Sequence, residues 1–169
     1  RSRLRGDSIG FVFQQFHLIP HLTALGNVAT ALLYRDLTKS EINQRALQAL
    51  DTVGLAERHD HRPVQLSGGE QQRVALARAI VTDPLMILAD EPTGALDTKN
   101  AKMVMDIFKN LQGQNRAVVL VTHDLEIAEQ MDRVVSMRDG KIIADDLRDE
   151  RKQSLQDTFW ESGSGSKLE

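Results

Sequence analysis

The chain has 169 residues, of which 41% are hydrophobic and 27% charged, with a formal net charge of −3. This length and composition predict one globular domain with a sizeable core. The small negative charge gives no electrostatic case for nucleic acid or an anionic membrane as a partner. The sequence has no cysteine, which excludes a disulfide framework and thiolate chemistry and fits a cytoplasmic protein. No apolar run approaches the ~20 residues of a membrane-spanning helix.

The first predicted elements are a short strand and an apolar loop. Residues Ile9–Phe13 predict a buried strand, and Gln14 begins the loop that follows it. The stretch from Phe16 to Leu25 is unusually apolar for a loop. We expect it to be either a satellite of the core or a surface on which a partner docks, and the sequence leaves both open.

Helices are predicted over the next part of the chain. Residues from Thr23 to about Leu33 predict one helix, and Thr38 marks the start of a second that Gly54 ends. Together with the helix after Ser67, they predict an all-helical insert.

The stretch from Leu66 to Ala79 predicts a helix whose start is suited to bind an anion. Ser67 and Glu70 have the spacing of a capping box. Gly68 and Gly69 carry no side chains, so a ligand can approach the first free backbone N–H groups closely. A helix N-terminus with open N–H groups favours phosphate. The alternative is an ordinary capped helix.

A short apolar run follows and ends in two acidic residues. Residues Leu85–Ala89 are continuously apolar and stop at Asp90, Glu91 and Pro92. Such a run fits a strand buried on both faces of a parallel sheet, and ligands bind beyond the carboxyl ends of such strands. Two adjacent carboxylates at such a place are suited to a metal–phosphate site, one to hold Mg²⁺ and the other to take a proton from water. The alternative is an Asp90 that only caps the next turn.

A helix and a second strand complete this part of the chain. Thr98 is predicted to cap a helix with an apolar side, and Ala117–Thr122 predicts a buried strand. His123 comes just past the end of that strand, and we expect it on the same rim as Asp90.

The last predicted elements are a hairpin and a polar tail. Asp139-Gly140 between Val134–Met137 and Lys141–Ala144 predicts a hairpin with a type I′ turn. The charged amphipathic segment 145–157 is predicted to be helical. Residues 162–169 are typical of a flexible linker followed by a cloning scar, so we exclude them from the fold.

Five motifs in this order resemble those of ABC-type ATPases, over roughly residues 8–145. The resemblance lies closest to the branch that serves macrolide export and lipoprotein release. The matching motifs are the signature motif at Leu66–Arg73, the Walker B strand at Met86–Asp90 with Glu91 as catalytic glutamate, the D-loop at Ala95–Asp97, the switch histidine at His123, and the Q-loop glutamine at Gln14.

The resemblance implies an α/β fold, namely a P-loop NTPase-like ABC ATPase core with a mostly parallel sheet and an all-helical subdomain. It implies a core strand and Q-loop in residues 1–22 and a helical subdomain with the signature motif in 23–81. Residues 82–161 would form the α/β core with Walker B, D-loop and switch histidine, and 162–169 the tail.

One motif of the family is missing from the sequence. The family binds ATP with a P-loop, Gly-x-x-x-x-Gly-Lys-[Ser/Thr]. The only Gly-Lys pair here is Gly140-Lys141, with Ile142 after it and Val135 where the first glycine should be. We therefore expect a fragment truncated at its N-terminus that neither binds ATP tightly nor hydrolyses it alone.

The resemblance also implies cofactors and residue roles. The cofactors are ATP and Mg²⁺, in a head-to-tail pair of such domains. The implied metal ligands are Asp90 and Gln14. Glu91 would deprotonate the attacking water, with Gln14 and His123 as further catalytic residues. The residues implied to contact the nucleotide of the opposite subunit are Ser67, Gly68, Gly69, Glu70 and Asp97.

The predicted function is that of the ATP-hydrolysing subunit of an ABC-type exporter. Its partners would be transmembrane permease subunits and a second nucleotide-binding subunit at the inner face of the cell membrane, with no nucleic acid. One alternative is an ABC-type ATPase of DNA repair or chromosome organisation, against which stand the short insert between Gln14 and Ser67 and the lack of sustained heptads. The other is a non-catalytic module that binds a partner. We also expect self-association, strand exchange or partial disorder, because the sheet would expose its edges and one apolar face.

Overall fold

The structure is a computed structural model that describes residues 8–112 and 116–148. It divides into two compact units, between Val121 and Thr122. The part of the predicted amphipathic segment at 149–157 and the tail at 162–169 lie outside the described residues. Within the described ranges, no helix is both long and apolar enough to cross a membrane.

A sheet of three parallel strands organises the described part of the first unit. The strands are β1 (Ile9–Val12), β2 (Met86–Asp90) and β3 (Ala117–Val121), in the order β1-β2-β3. Phe11 pairs with Leu88 in register, and Leu88 pairs with Val119. All three carboxyl ends therefore lie at one edge of the sheet, as the sequence predicts.

The helical insert lies between β1 and β2 in sequence. It contains α1 (Ala24–Ala29), which a 3₁₀ turn at Thr30–Leu32 extends, then α2 (Lys39–Thr52) and α3 (Gly68–Ile80). Short 3₁₀ turns at Ala56–Arg58 and Pro63–Gln65 join α2 to α3. The three helices pack on one another, with a core that includes Val28, Leu32, Leu50, Val74 and Leu76.

Local signals for the ends of α2 are confirmed. The Thr38 side chain accepts from the Glu41 N–H, and the Glu41 carboxylate accepts from the Thr38 N–H at 2.8 Å. Gly54 has φ +70°, the left-handed conformation that favours glycine after a helix.

One face of the sheet packs on α3 and the other is open. A Cβ on Gly10 would lie 2.4 Å from the Ala79 carbonyl oxygen, so only glycine allows β1 to approach α3 this closely. The opposite face is apolar and exposed at Phe11 (44%), Val119 (41%) and Val121 (53%). In the described residues, the strands are therefore buried on one face and exposed on the other. An exposed apolar face is what the sequence analysis expects.

Helix α4 (Thr98–Gln112) follows β2 and buries one apolar side, formed by Val104, Met105, Phe108 and Leu111. The prediction that Thr98 caps this helix is wrong by one residue. The Asp97 carboxylate accepts the Asn100 N–H at 2.9 Å, and Thr98 is the first helical residue.

The second unit contains a short helix and a hairpin. The helix is α5 (Leu125–Ala128), and in the hairpin β4 (Arg133–Arg138) pairs with β5 (Lys141–Leu147). Both residues of the Asp139-Gly140 turn have positive φ, 51° and 73°, as a type I′ turn requires. The helix predicted from residue 145 is wrong over 145–147, since β5 continues there and its Asp145 pairs with Arg133 at 2.6 Å.

Candidate functional site

The start of α3 carries the predicted capping box. The Ser67 N–H and hydroxyl both donate to the Glu70 carboxylate at 2.8 Å, and Ser67 Oγ accepts the Glu70 N–H at 3.3 Å. The backbone hydrogen bond from Ser67, with its hydroxyl and the nearby Arg58 guanidinium, holds the pKa of Glu70 below its usual range. The Glu70 carboxylate is thus held at the cap, and the N–H groups of Gly68 and Gly69 begin the helix without intrahelical partners.

The two glycines of this segment differ in their surroundings. A Cβ on Gly68 would meet only Phe16 Cζ, at 3.8 Å, whereas a Cβ on Gly69 would lie 2.3 Å from Cγ and Oδ1 of Asn100. Gly69 is therefore explained by the close approach of Asn100, and the open space that a ligand needs lies at Gly68.

Asn100 also connects the signature segment to the predicted D-loop residue. Its backbone N–H and its Nδ2 donate to the two carboxylate oxygens of Asp97 at 2.9 and 2.7 Å. These bonds, led by the one from the Asn100 backbone, hold the pKa of Asp97 below its usual range. Asn100 therefore links buried Gly69 to exposed Asp97.

The end of β2 carries Asp90 and Glu91. Asp90 is exposed as the last residue of the strand. Glu91 is half-buried and has φ +45°, a conformation that non-glycine residues seldom adopt and that is common at functional sites. Its N–H donates to the Val121 carbonyl at 2.8 Å, and its carbonyl accepts the Gly94 N–H at 3.2 Å. These bonds fix the backbone that carries the predicted general base.

Gln14 lies beside this turn. A Cβ on Gly94 would be 3.1 Å from Gln14 Nε2 and 3.7 Å from the Glu91 Cβ. The exposed side chain of Gln14 and the side chain of Glu91 thus both lie next to Gly94. In the sequence, Gln14 is 76 positions before Asp90, the residue that precedes Glu91. The structure brings these predicted residues together.

The loop after Gln14 is held by two polar side chains that the sequence analysis missed, buried Asn27 and half-buried Arg78. Asn27 accepts the Ile19 N–H at 2.6 Å, and its amide donates to the carbonyls of Ile19, Leu22 and Thr23. Arg78 donates to the carbonyls of His17 and Phe16 at 2.7 and 3.0 Å, and burial lowers its pKa. The sequence feature that could have revealed them is a polar residue at a position where the helical pattern predicts a core residue.

The same bonds bear on the apolar loop of the sequence analysis. Its large side chains are half-buried, namely those of Phe16, Leu18, Ile19, Leu22 and Leu25. This degree of burial fits a satellite of the core, and it leaves part of each side chain at the surface.

His123 belongs to the second unit, where it is exposed in the turn before α5. Its neighbours order this turn, since Thr122 Oγ1 accepts the Asp124 N–H at 3.1 Å and Asp124 caps α5. A place for His123 on the rim beside Asp90 stays a prediction.

The donors at this edge of the first unit fit Mg²⁺ and phosphate. Within residues 8–112 and 116–148, no group of three or more His, Cys, Asp or Glu could form a metal cage. Mg²⁺ needs no such cage, because it is commonly held by one or two protein oxygens with waters and substrate phosphates. Asp90 supplies a carboxylate, Gln14 an amide oxygen, and the N–H groups at Gly68 and Gly69 suit a phosphate.

Comparison with known proteins decides the family. The family model described as ABC transporter matches residues 1–94. The chain belongs to the ABC transporter family. It is 48% identical over 148 residues to the uncharacterized ABC transporter ATP-binding protein YvrO of Bacillus subtilis (strain 168), a match that covers 88% of this chain and 65% of that protein.

Two further relatives of this ABC transporter chain agree. The macrolide export ATP-binding/permease protein MacB of Chlorobaculum tepidum is 49% identical over 142 residues, which cover 84% of this chain and 22% of that protein. The dimeric post-hydrolysis structure of the ATP-binding cassette MJ0796 bound to ADP and Pi is 44% identical, with a TM-score of 0.77 over 87% of this chain and 66% of that one. The chain thus spans a little under two thirds of YvrO and a smaller part of MacB.

These matches confirm two predictions from the sequence. The resemblance to ABC ATP-binding domains of the macrolide-export kind is confirmed by the family model and the relatives. The α/β fold with a parallel sheet is confirmed by the strand pairing and the structural neighbours. None of these relatives is named for DNA repair or chromosome organisation.

Proposed function

We propose that this chain is the signature-bearing part of the ATP-hydrolysing subunit of an ABC-type exporter, with ATP and Mg²⁺ as cofactors. The observation that carries the proposal is the meeting of Gln14 and Glu91 at Gly94, at the carboxyl end of a parallel strand. Ligands bind at this edge in open α/β sheets. An amide and a carboxylate side chain at this place can together bind a water molecule and a divalent cation.

The proposed mechanism assigns each residue one task. Asp90 and Gln14 would supply oxygen ligands to Mg²⁺, and Glu91 would take the proton of the attacking water. Bound ATP would supply the phosphoryl group that passes to this water, with ADP as the leaving group. Because phosphoryl transfer depends mostly on positioning and electrostatics, the fixed backbone of Glu91 is as important as its carboxylate. By the family resemblance, His123 stabilises the charge that develops.

The start of α3 and the adjacent D-loop would serve the opposite subunit. The segment from Ser67 to Glu70 presents its backbone N–H groups to a phosphate held by that subunit, and Asp97 communicates across the interface. The MJ0796 cassette is a dimer in its post-hydrolysis state, and the name of MacB joins ATP-binding to permease. We propose equivalent partners here, at the inner face of the membrane. The subdomain limits 1–22, 23–81 and 82–161 remain part of this proposal.

The test compares the chain with a chimaera in which this chain replaces the matching 148 residues of YvrO and the remainder of YvrO is kept. We expect the chain alone to show neither saturable binding of a fluorescent ATP analogue with Mg²⁺ nor turnover. The chimaera should hydrolyse Mg-ATP, and Glu91→Gln should abolish turnover while binding persists. A chimaera that binds the analogue but hydrolyses nothing with Glu91 intact would contradict the proposal.

A non-catalytic, partner-binding role is the second candidate, and the exposed apolar side chains of Phe11, Val119 and Val121 favour it. It predicts that the chain binds an intact nucleotide-binding subunit and that the mixture hydrolyses no more ATP than the subunit does alone. Titration of that subunit with the chain, followed by turnover, separates this role from the catalytic one.

A further inference from the structure

One buried amide reaches two segments that are far apart in sequence. Gln72 of α3 is 0% exposed, and its Nε2 donates to the Pro92 carbonyl at 2.8 Å and to the Phe13 carbonyl at 3.4 Å. Both partners are carbonyl oxygens, which only accept, so the amide nitrogen must face them.

The two carbonyls adjoin the proposed catalytic side chains. The Phe13 carbonyl belongs to the peptide unit that leads into Gln14, and Pro92 follows Glu91 directly. A peptide unit is planar, so a bond to its oxygen restrains the orientation of the residue attached to it. The bond to Phe13 therefore restrains the peptide unit attached to Gln14, and the bond to Pro92 restrains the Pro92–Thr93 unit inside the turn that the Gly94 N–H closes on the Glu91 carbonyl.

Burial of this amide has a cost that core packing alone does not explain. Gln72 Oε1 is buried and has no hydrogen-bond partner within the part of the chain that the structure describes. An apolar side chain of similar shape would avoid that cost. A buried polar group that is only half satisfied calls for a role other than filling space.

We propose that Gln72 is a positioning residue that holds the Gln14 loop and the Glu91 turn in register with α3. The role in hydrolysis rests on the proposed function, whereas the link between the three segments does not. Because Ser67 caps α3, a displacement of the signature helix is transmitted through this amide to the segments that carry both proposed catalytic residues.

The first experiment measures backbone amide exchange by NMR in the full chain. Gln72→Met keeps the length of the side chain and removes the donor. We expect exchange at Gln14–Phe16 and at Thr93–Gly94 to accelerate by about 5- to 30-fold, with α2 unchanged.

The matched control is Gln71, the residue before Gln72 on the same helix. Gln71 donates only locally, to the Leu66 carbonyl at 3.0 Å, so Gln71→Met should leave both segments as they are. Unchanged exchange in Gln72→Met would show that the amide restrains neither segment. Uniform acceleration throughout the first unit would show that Gln72 contributes only to core packing. Either result would overturn the proposal.

The second experiment uses a donor that pH can remove. In Gln72→Glu, the protonated carboxyl presents an O–H to the two carbonyls and the ionised form presents none. Burial raises the pKa of such a carboxyl. Relative to Gln71→Glu at the same pH, both segments should exchange at the native rate in acid and accelerate together as the pH rises. Segments that respond at different pH values, or not at all, would count against a shared donor.

The third measurement separates this inference from the proposed function. In the YvrO chimaera, Gln72→Met should lower kcat on the order of tenfold with little change in KM, because misplaced groups slow the chemical step, and Gln48→Met, at an exposed position of α2, should not. If the chimaera with native Gln72 hydrolyses no ATP, the proposed function is wrong and the exchange result still decides the link. If it hydrolyses ATP and Gln72→Met leaves kcat unchanged, the positioning role is wrong.

Discussion

Gly69 and Asn100 are in such close contact that residue 69 has no room for a side chain. A Cβ there would lie 2.3 Å from two atoms of the Asn100 side chain, and the same side chain donates to Asp97 at 2.7 Å. The start of the signature helix and the start of α4 are thus joined by one asparagine. A substitution at Gly69, Asn100 or Asp97 should therefore alter the surroundings of the other two residues.

Gly69→Ala should therefore destabilise the first unit, although alanine ordinarily favours a helix over glycine. The added methyl forces Asn100 out of its place, and overpacking of this kind costs about 1–3 kcal/mol. Gly68→Ala is the matched control, because its Cβ would find only an ordinary contact at 3.8 Å. Alanine there should be neutral or stabilise by up to about 1 kcal/mol. Urea unfolding of the two variants checks the prediction, and equal effects would contradict it.

The Asp97 carboxyl provides a reporter for the same contact. Its pKa lies below the usual range because Asn100 donates to it from backbone and side chain. Asn100→Ala removes the side-chain donor, so the pKa of Asp97 should rise towards the ordinary value. Gly69→Ala should raise it as well, although residue 69 carries no titratable group. The measurement is a ¹³C NMR titration, and a pKa of Asp97 that stays low in Gly69→Ala would show that Asn100 has not moved.

The two capping boxes offer a comparison between a cap at the proposed site and one away from it. Ser67→Ala and Thr38→Ala should each cost about 1 kcal/mol of stability, since each removes an equivalent N-cap side chain. In the YvrO chimaera, only Ser67→Ala should lower ATP hydrolysis. Loss of activity in Thr38→Ala to the same degree would show that helix stability, and not the position of Ser67, is what matters.

The pH dependence of these caps has a definite sign. The pKa values of Glu70 and Glu41 are lowered by their hydrogen bonds to Ser67 and Thr38. Their contribution to stability is therefore present above the unfolded pKa and is lost as the pH falls through the lower folded value. The difference in unfolding free energy between each alanine variant and the native chain should shrink on acidification through that range.

What the sequence predicts well is what neighbouring residues decide. The boxes at Thr38 and Ser67 and the turn at Asp139-Gly140 each involve residues at most three positions apart, so their patterns can be recognised from a short stretch. The parallel strands at β2 and β3 are predicted because the apolar runs are continuous.

What the sequence could not show are the contacts between distant segments. The bond from Gln72 to Phe13 joins residues 59 positions apart, and the bond to Pro92 joins residues 20 apart. Helical periodicity shows that Gln72 faces the core, but it does not show which carbonyl groups accept hydrogen bonds from its side chain. For the same reason Gly69 was assigned to a ligand, and the contact that requires it, with Asn100, was missed.

The open face of the sheet leads to the last prediction, which concerns self-association. Phe11 and Phe13 stack on this face with ring centroids 6.2 Å apart, and β1 and β3 are the outer strands of the described sheet. Parallel sheets are normally covered on both faces, and an exposed apolar patch beside open strand edges favours association. Phe11→Glu should shift the chain towards monomer in sedimentation velocity, because burial of an unpaired carboxylate between copies is unfavourable. Leu33→Glu is the control, since Leu33 is 63% exposed but lies in the helical insert. A native chain that is a monodisperse monomer and unfolds cooperatively would contradict the prediction, as would equal effects of the two substitutions.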